Sequence, residues 1–288
     1  MEPLDLASVA VRAAAFIAAL QAAGLVWFAA SIVRSAPAGM PCVIGLARVS
    51  AALALVLVVM HGALDAARLA GEWSGMLDPH LQYLAWSRRP GLSSLVCSAG
   101  LLAALAGLSK SNQDGIRLAI LGAFVVVGSF ELTGHATEAT HPVVVQLLLV
   151  LHVSLAAYWI GAVAGLYWLT GHAAPGDVTR AAAHFSGAAV WLVPLLLPVG
   201  ILVIWGLLPD LAALRTLYGG FLLAKVVGFC GVILLAAFNR LRVVPALATG
   251  EAFATRRFQR VLVAEYAGLG GVLATTATMT SLFSWGGA

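Results

Sequence analysis

Eight apolar runs, most of them about 20 residues long, follow one another along this chain of 288 residues. A helix of that length crosses a hydrocarbon core of roughly 30 Å. Backbone groups in lipid must be bonded internally, and the runs lack the two-residue alternation of barrel strands, so each is expected to be a helix. The sequence predicts an all-α, polytopic membrane protein: a helical bundle of about eight transmembrane helices, forming a single domain over residues 1–288. Composition excludes the soluble alternative. The chain is 61% hydrophobic with 10% charged residues, where a soluble domain carries about 25%.

The spans fall at about 9–33, 43–64, 91–108, 116–134, 142–170, 185–208, 217–238 and 261–284. A long loop from Asp65 to Pro90 separates the second from the third. Within it Asp78-Pro79 reads as an N-cap with proline at the first helical position, opening a short interfacial helix that holds Tyr83 and Trp86. Pro194 and Pro198 should kink the sixth span or expose its carbonyls. Gly161 and Gly165, four residues apart, allow close approach of a neighbouring helix. Asn239 to Arg260 reads as the most basic loop. The N-terminus lacks a signal-peptide pattern, since Glu2 and Asp5 precede an apolar run too long for one. Cys42, Cys97 and Cys230 show no metal or redox spacing and read as small packing residues.

Net charge is +4, which in a membrane chain speaks of topology and anionic lipid rather than nucleic acid. One set of loops and flanks carries Arg34, Arg48, Lys110, Arg117, Arg180, Arg240, Arg242, Arg256, Arg257 and Arg260. The other carries Arg12, Arg68, Arg88, Arg89 and Arg215. Ten against five places both termini outside, on the periplasmic side in a bacterium.

With that orientation, His61, His80, Glu131, His135, Glu138 and His141 lie at or beyond the outer face. The stretch Glu131–Trp159 holds three of the seven histidines. Imidazole, carboxylate and thioether together suit a transition metal, copper first. Glu131 and His135 stand at i and i+4, on one face if the fourth helix extends that far; they also suit a proton relay, and His135 a helix cap. His152 lies about 15 Å along the helix that opens at Pro142, which brings it toward the midplane if the helix starts at the membrane face, or leaves it shallower if this over-long helix starts above it. An ionisable group there is functional by default, a neutral histidine bonded to the next helix being the plain alternative. Met60-His61 closes the second span with a thioether and an imidazole that point about 100° apart. The metal candidates are therefore His135, His152, His61, Glu131, Met60 and His141. His80 is a loop histidine, and His172 and His184 lie on the inner side. Lys225 and Glu265 are intramembrane charges, either structural or bordering an ion path, and the ends they occupy argue against their pairing with each other. No nucleophile–base pair, phosphate loop or HExxH motif is present, so no enzyme activity is expected.

At these residues the chain resembles the copper resistance protein D (CopD) family of bacterial inner-membrane proteins. The resemblance covers about 128–273. It is carried by LTGHA at Leu132–Ala136, LHVSLAAYWIGAV at Leu151–Val163 and HFSGAAV at His184–Val190. TLYGGFLLAK at Thr216–Lys225, NRLRVVPAL at Asn239–Leu247 and the Glu265 segment complete it in order. It implies copper movement across the inner membrane, usually inward, alongside a periplasmic copper carrier. Two departures stand out: His184 occupies a position that is often basic in the family, and His141 is farther from His152 than the corresponding family histidine. Two other readings remain open. One is a membrane redox protein binding haem b through His61 and His152, or His135 and His152. The other is a non-transporting partner that docks a periplasmic copper protein through the Asp65–Pro90 loop.

Overall fold

The computed structural model describes residues 2–132, 141–207 and 215–282, and among them every regular element is helical. Eight helical segments are long and apolar enough to cross a membrane. In chain order the α-helices are α1 (Pro3–Ile32), α2 (Met40–Ala70), α3 (Pro79–Ser87), α4 (Arg89–Leu108), α5 (Gln113–Ser129), α6 (Pro142–His172), α7 (Pro175–Leu207), α8 (Leu217–Phe238), α9 (Val244–Ala248) and α10 (Ala254–Leu282). The predicted fold class holds.

Several boundaries differ from the sequence reading. α2 runs on to Ala70, where Gly71 takes the left-handed conformation at φ 76° that ends a helix. The Asp65–Pro90 stretch is thus largely ordered: the end of α2, a 3-10 turn at Trp73–Leu77, then α3. Asp78 caps α3 as expected, its carboxylate accepting from the backbone N–H of His80 at 2.8 Å and of Leu81 at 3.1 Å. The basic stretch after Phe238 is not a plain loop. Helix continues through a π-helical turn, Asn239–Val243, into α9, so the seventh span reaches Ala248. α7 begins ten residues earlier than expected and runs through both Pro194 and Pro198.

α1 is the hub of the bundle, packed on α2, α5, α6 and α10. It is rich in alanine, and Ala19, Leu20, Leu25, Phe28, Ala29 and Ile32 are fully buried. Its crossing with α6 is glycine-made. A β-carbon on Gly24 would fall 1.7 Å from the Ala157 carbonyl oxygen, and one on Gly161 would fall 2.2 Å from the Gly24 carbonyl carbon. Gly165 receives the Phe28 ring in the same seam. Without a hydrophobic drive between helices in lipid, such close backbone contact supplies the dispersion energy that holds them.

The two ends of the bundle are pinned differently. At one, Arg68 on α2 bridges Asp5 on α1 at 3.3 Å. At the other, Arg180 on α7 donates to the Ser35 carbonyl at 2.8 Å and pairs with buried Asp177 at 2.6 Å. Gln259 on α10 donates to Thr170 on α6 at 2.8 Å at that same end. α7 packs on α6 and α8 on α10, each leaving broad apolar faces such as Trp191, Trp205, Leu223 and Leu234 exposed where lipid would lie.

Candidate ion path through the bundle

His152 faces inward from the first half of α6. Its ring rests on Gly200 of α7, close to the Leu196 carbonyl, and the ammonium of Lys225 on α8 stands near it. Three helices thus meet at one imidazole. Nδ1 of that ring is buried and has no hydrogen-bond partner. Gly200 makes the seat possible, since a β-carbon there would lie 2.9 Å from Cε1.

At the Asp5 end, His61 is bound into a charged cluster. Its Nδ1 lies 3.3 Å from Asp65 Oδ2, one helical turn on, and Arg68 reaches the other oxygen of Asp65 at 3.9 Å. Arg12 of α1 points its charge at the same carboxylate. Met60 turns away, 38% exposed on the outside of the bundle, as the angle between neighbouring residues on a helix requires.

Glu131 does not sit on a regular helix. α5 stops at Ser129, whose carbonyl accepts from Ser93 on α4 at 2.7 Å, and a 3-10 turn follows at Phe130–Leu132. Phe130 packs edge-on against Phe16 of α1 at 4.8 Å. Both carboxyl oxygens of Glu131 are buried without a partner. His135 and Glu138 lie outside the described residues. His141 is exposed at the N-cap position of α6, and His80 is exposed on α3. Among the described residues, no three His, Cys, Asp or Glu side chains converge as a ready-made metal cage. His61 and His152 have no neighbour in common, which gives that haem pairing no support, and the His135–His152 pairing lies outside the described residues.

At the Arg180 end, His184 lines a cleft of about 390 Å³ with Ser31, Arg34 and Ser35. His172 stacks on Trp168 at 4.1 Å, and its Nδ1 meets the Trp168 carbonyl at 2.9 Å, so it is held as an interfacial side chain.

Lys225 and Glu265 are not paired. Glu265 on α10 is instead bonded to Asn239, whose Nδ2 donates to Oε1 at 2.9 Å. Asn239, Asp65 and Gly200 were missed by sequence reasoning. Asp65 carried a usable signal, four residues after His61. Asn239 was concealed by its basic neighbours, which made a membrane helix look like a loop, and nothing in the chain marks Gly200 among its 30 glycines.

Searches of curated proteins and of solved structures find no match. A family model does match, beginning inside α7 and ending near the end of α10. It takes in HFSGAAV, TLYGGFLLAK, NRLRVVPAL and Glu265, and leaves the His135 and His152 segments outside. Residues 179–279 of this chain, which carries eight helical segments long and apolar enough to cross a membrane, match the family described as copper resistance protein D.

Proposed function

We propose that the protein carries copper ions across the membrane, inward from the periplasm, with His152 as the ligand inside the bilayer. The observation that carries this reading is the buried, unpartnered Nδ1 of His152 at the junction of α6, α7 and α8, in a chain whose next segments match a copper resistance family. An Nδ1 without a hydrogen-bond partner has its lone pair free for a metal when the ring proton sits on Nε2. The Lys225 ammonium beside it disfavours tight holding of a cation, which suits a site that must also release.

Capture falls to His61, beside Asp65, and to Glu131, with His135 and His141 as further ligands. Both termini then face the periplasm, and the bacterial inner membrane is the location. A periplasmic copper protein delivers the ion. The cleft at His184 opens toward the far side and would receive it.

The test is copper uptake into proteoliposomes of the purified chain. His152→Ala should cut uptake at least about tenfold, a loss of about 1.4 kcal/mol at the rate-setting step, with protein recovery unchanged. Normal uptake by that variant removes His152 from the path.

A second reading has one specific observation behind it. Trp73, Leu77 and Tyr83, on the 3-10 turn and α3, are 53%, 88% and 73% exposed on an ordered segment at the Asp5 end. That surface suits docking of a copper protein without transport. Replacing the three by serine would abolish delivery from a protein donor but leave uptake of free copper intact under the transport reading; under the docking reading no uptake of free copper occurs at all.

A further inference from the structure

Two buried polar side chains from different helices meet at Glu265, away from His152. Glu265 is 1% exposed and Asn239 is 6% exposed. Asn239 opens the π-helical turn, whose wider ring of backbone bonds re-aims side chains in the second half of the Gly219–Ala248 span. One bond joins the two groups, from Asn239 Nδ2 to Glu265 Oε1. Two atoms are left over. Asn239 Oδ1 and Glu265 Oε2 are both buried with no hydrogen-bond partner. The Trp159 indole lies beside the carboxyl, its Nε1 making no bond of regular geometry.

An ionised carboxylate only accepts hydrogen bonds, and so does the amide oxygen. As a carboxylate, Glu265 therefore leaves both atoms orphaned, and it leaves a charge in the bilayer without a cation. Among the described residues, no ion pair is formed to it. The ionisable side chains of the surrounding elements turn elsewhere. On α6, His152 meets Gly200 and Tyr158 meets Ser31; on α8, Lys225 faces His152. Arg240 at the π-helical turn bonds Ser186, and on α10 Arg257 lies over Phe238 while Tyr266 bonds Gln21 of α1. Arg12 of α1 is engaged with Asp65 at the Asp5 end.

A proton on Oε2 resolves both defects at once. Carboxyl and carboxamide are planar groups carrying two polar atoms on one carbon, so when the amide N–H on the side of its oxygen makes the first bond and the planes align, the second pair of atoms meets. The acid O–H then donates to Asn239 Oδ1 while Asn239 Nδ2 donates to Oε1, and no charge remains in the lipid. We propose that Glu265 and Asn239 form an intramembrane proton-binding site, with the proton held on Glu265 in a reciprocal acid–amide pair. When the proton leaves, the carboxylate faces only the N–H groups of Asn239 and Trp159. The site goes beyond the copper reading and does not depend on which cargo the protein carries.

Infrared difference spectroscopy of the purified full chain tests this. Gln at 265 can make the same two bonds with Asn239, so Glu265→Gln should fold. Wild type minus Glu265→Gln should contain the C=O band of a neutral carboxylic acid at neutral pH, shifted in D2O and replaced by carboxylate bands only at alkaline pH. Asn239→Leu, which removes both partner atoms, should move that band to higher frequency. Carboxylate bands in the neutral-pH difference, as expected if a water bridges the two groups, overturn the proposal. If Glu265→Gln cannot be recovered, the Asn239→Leu comparison decides: a shifted neutral-acid band supports the pair and an unshifted spectrum overturns it.

Discussion

The His152 ring lies directly on Gly200: a β-carbon added there would stand 2.9 Å from Cε1 and 3.3 Å from Nδ1. The contact is between an imidazole and the bare backbone of a helix that carries prolines at 194 and 198. Gly200→Ala keeps all hydrogen-bonding groups but forces the ring to move. Copper uptake should fall several-fold, while His152→Ala and the double variant should be no worse than each other, because both remove the same ligand. Additive losses in the double variant would mean that Gly200 acts through something other than His152.

His61 Nδ1 stands 3.3 Å from Asp65 Oδ2, a charge contact without regular hydrogen-bond geometry, and Met60 plays no part in that cluster. Asp65→Ala should therefore weaken copper retention by the purified chain about 10–100-fold, the usual effect of removing a carboxylate that steadies a ligating histidine. Met60→Leu should leave retention within a factor of about two, since the thioether faces outward. Competition titration against a copper chelator measures both. A large effect at Met60 with none at Asp65 would move the capture site to the outside of α2.

These two cases show what was legible beforehand. Span number, helical class and the inward-facing His152 follow from run length and from the cost of an ionisable group in lipid, which are properties of the chain itself. The partner of Gly161, the seat of His152 and the Asn239–Glu265 pair depend on which helices become neighbours, and one sequence holds no such information. The π-helical turn was masked for a further reason. Arg240 and Arg242 follow directly on Asn239, so their charges read as a loop although Arg240 bonds Ser186 and the helix continues. Helix α5 failed in the opposite sense: its apolar run continues to Leu132, yet the backbone tightens into a 3-10 turn at Phe130.

At the Arg180 end, the buried carboxylate of Asp177 is matched by an arginine whose head is 58% exposed. Water screens part of that pair, so Arg180→Ala should cost about 1–2 kcal/mol rather than the larger penalty of a fully buried pair. Asp177→Asn should cost less, because an amide oxygen can still accept from Arg180 and no uncompensated charge stays behind. Unfolding in detergent, followed by helical circular dichroism, ranks the two. The reverse order would show that Asp177 does more than receive Arg180.

Among the described glycines, Gly24 has the least room for a β-carbon and gives the most demanding test. A β-carbon on Gly24 would be 1.7 Å from the Ala157 carbonyl oxygen, far inside any tolerable distance, and both atoms belong to backbone that cannot rotate aside. Gly24→Ala must therefore push α1 and α6 apart along the seam that also holds Gly161, Gly165 and Phe28. Overpacking of this kind costs about 1–3 kcal/mol, and more where the neighbour is backbone. Gly45 on α2 is the control, because a β-carbon there meets nothing within 4 Å. Gly45→Ala replaces a flexible residue in a helix interior and should be neutral or stabilising by about 0.5–1 kcal/mol. Thermal unfolding of the two variants in the same detergent should move in opposite directions or leave Gly45→Ala unchanged. Since α1 is the hub on which α2, α5, α6 and α10 pack, the Gly24→Ala loss should appear as reduced melting temperature of the whole bundle and not as the fraying of one helix. An unchanged melting temperature would mean that α1 and α6 do not cross at Gly24, and the arrangement of His152 against α7 and α8 would then have to be redrawn from a different helix order.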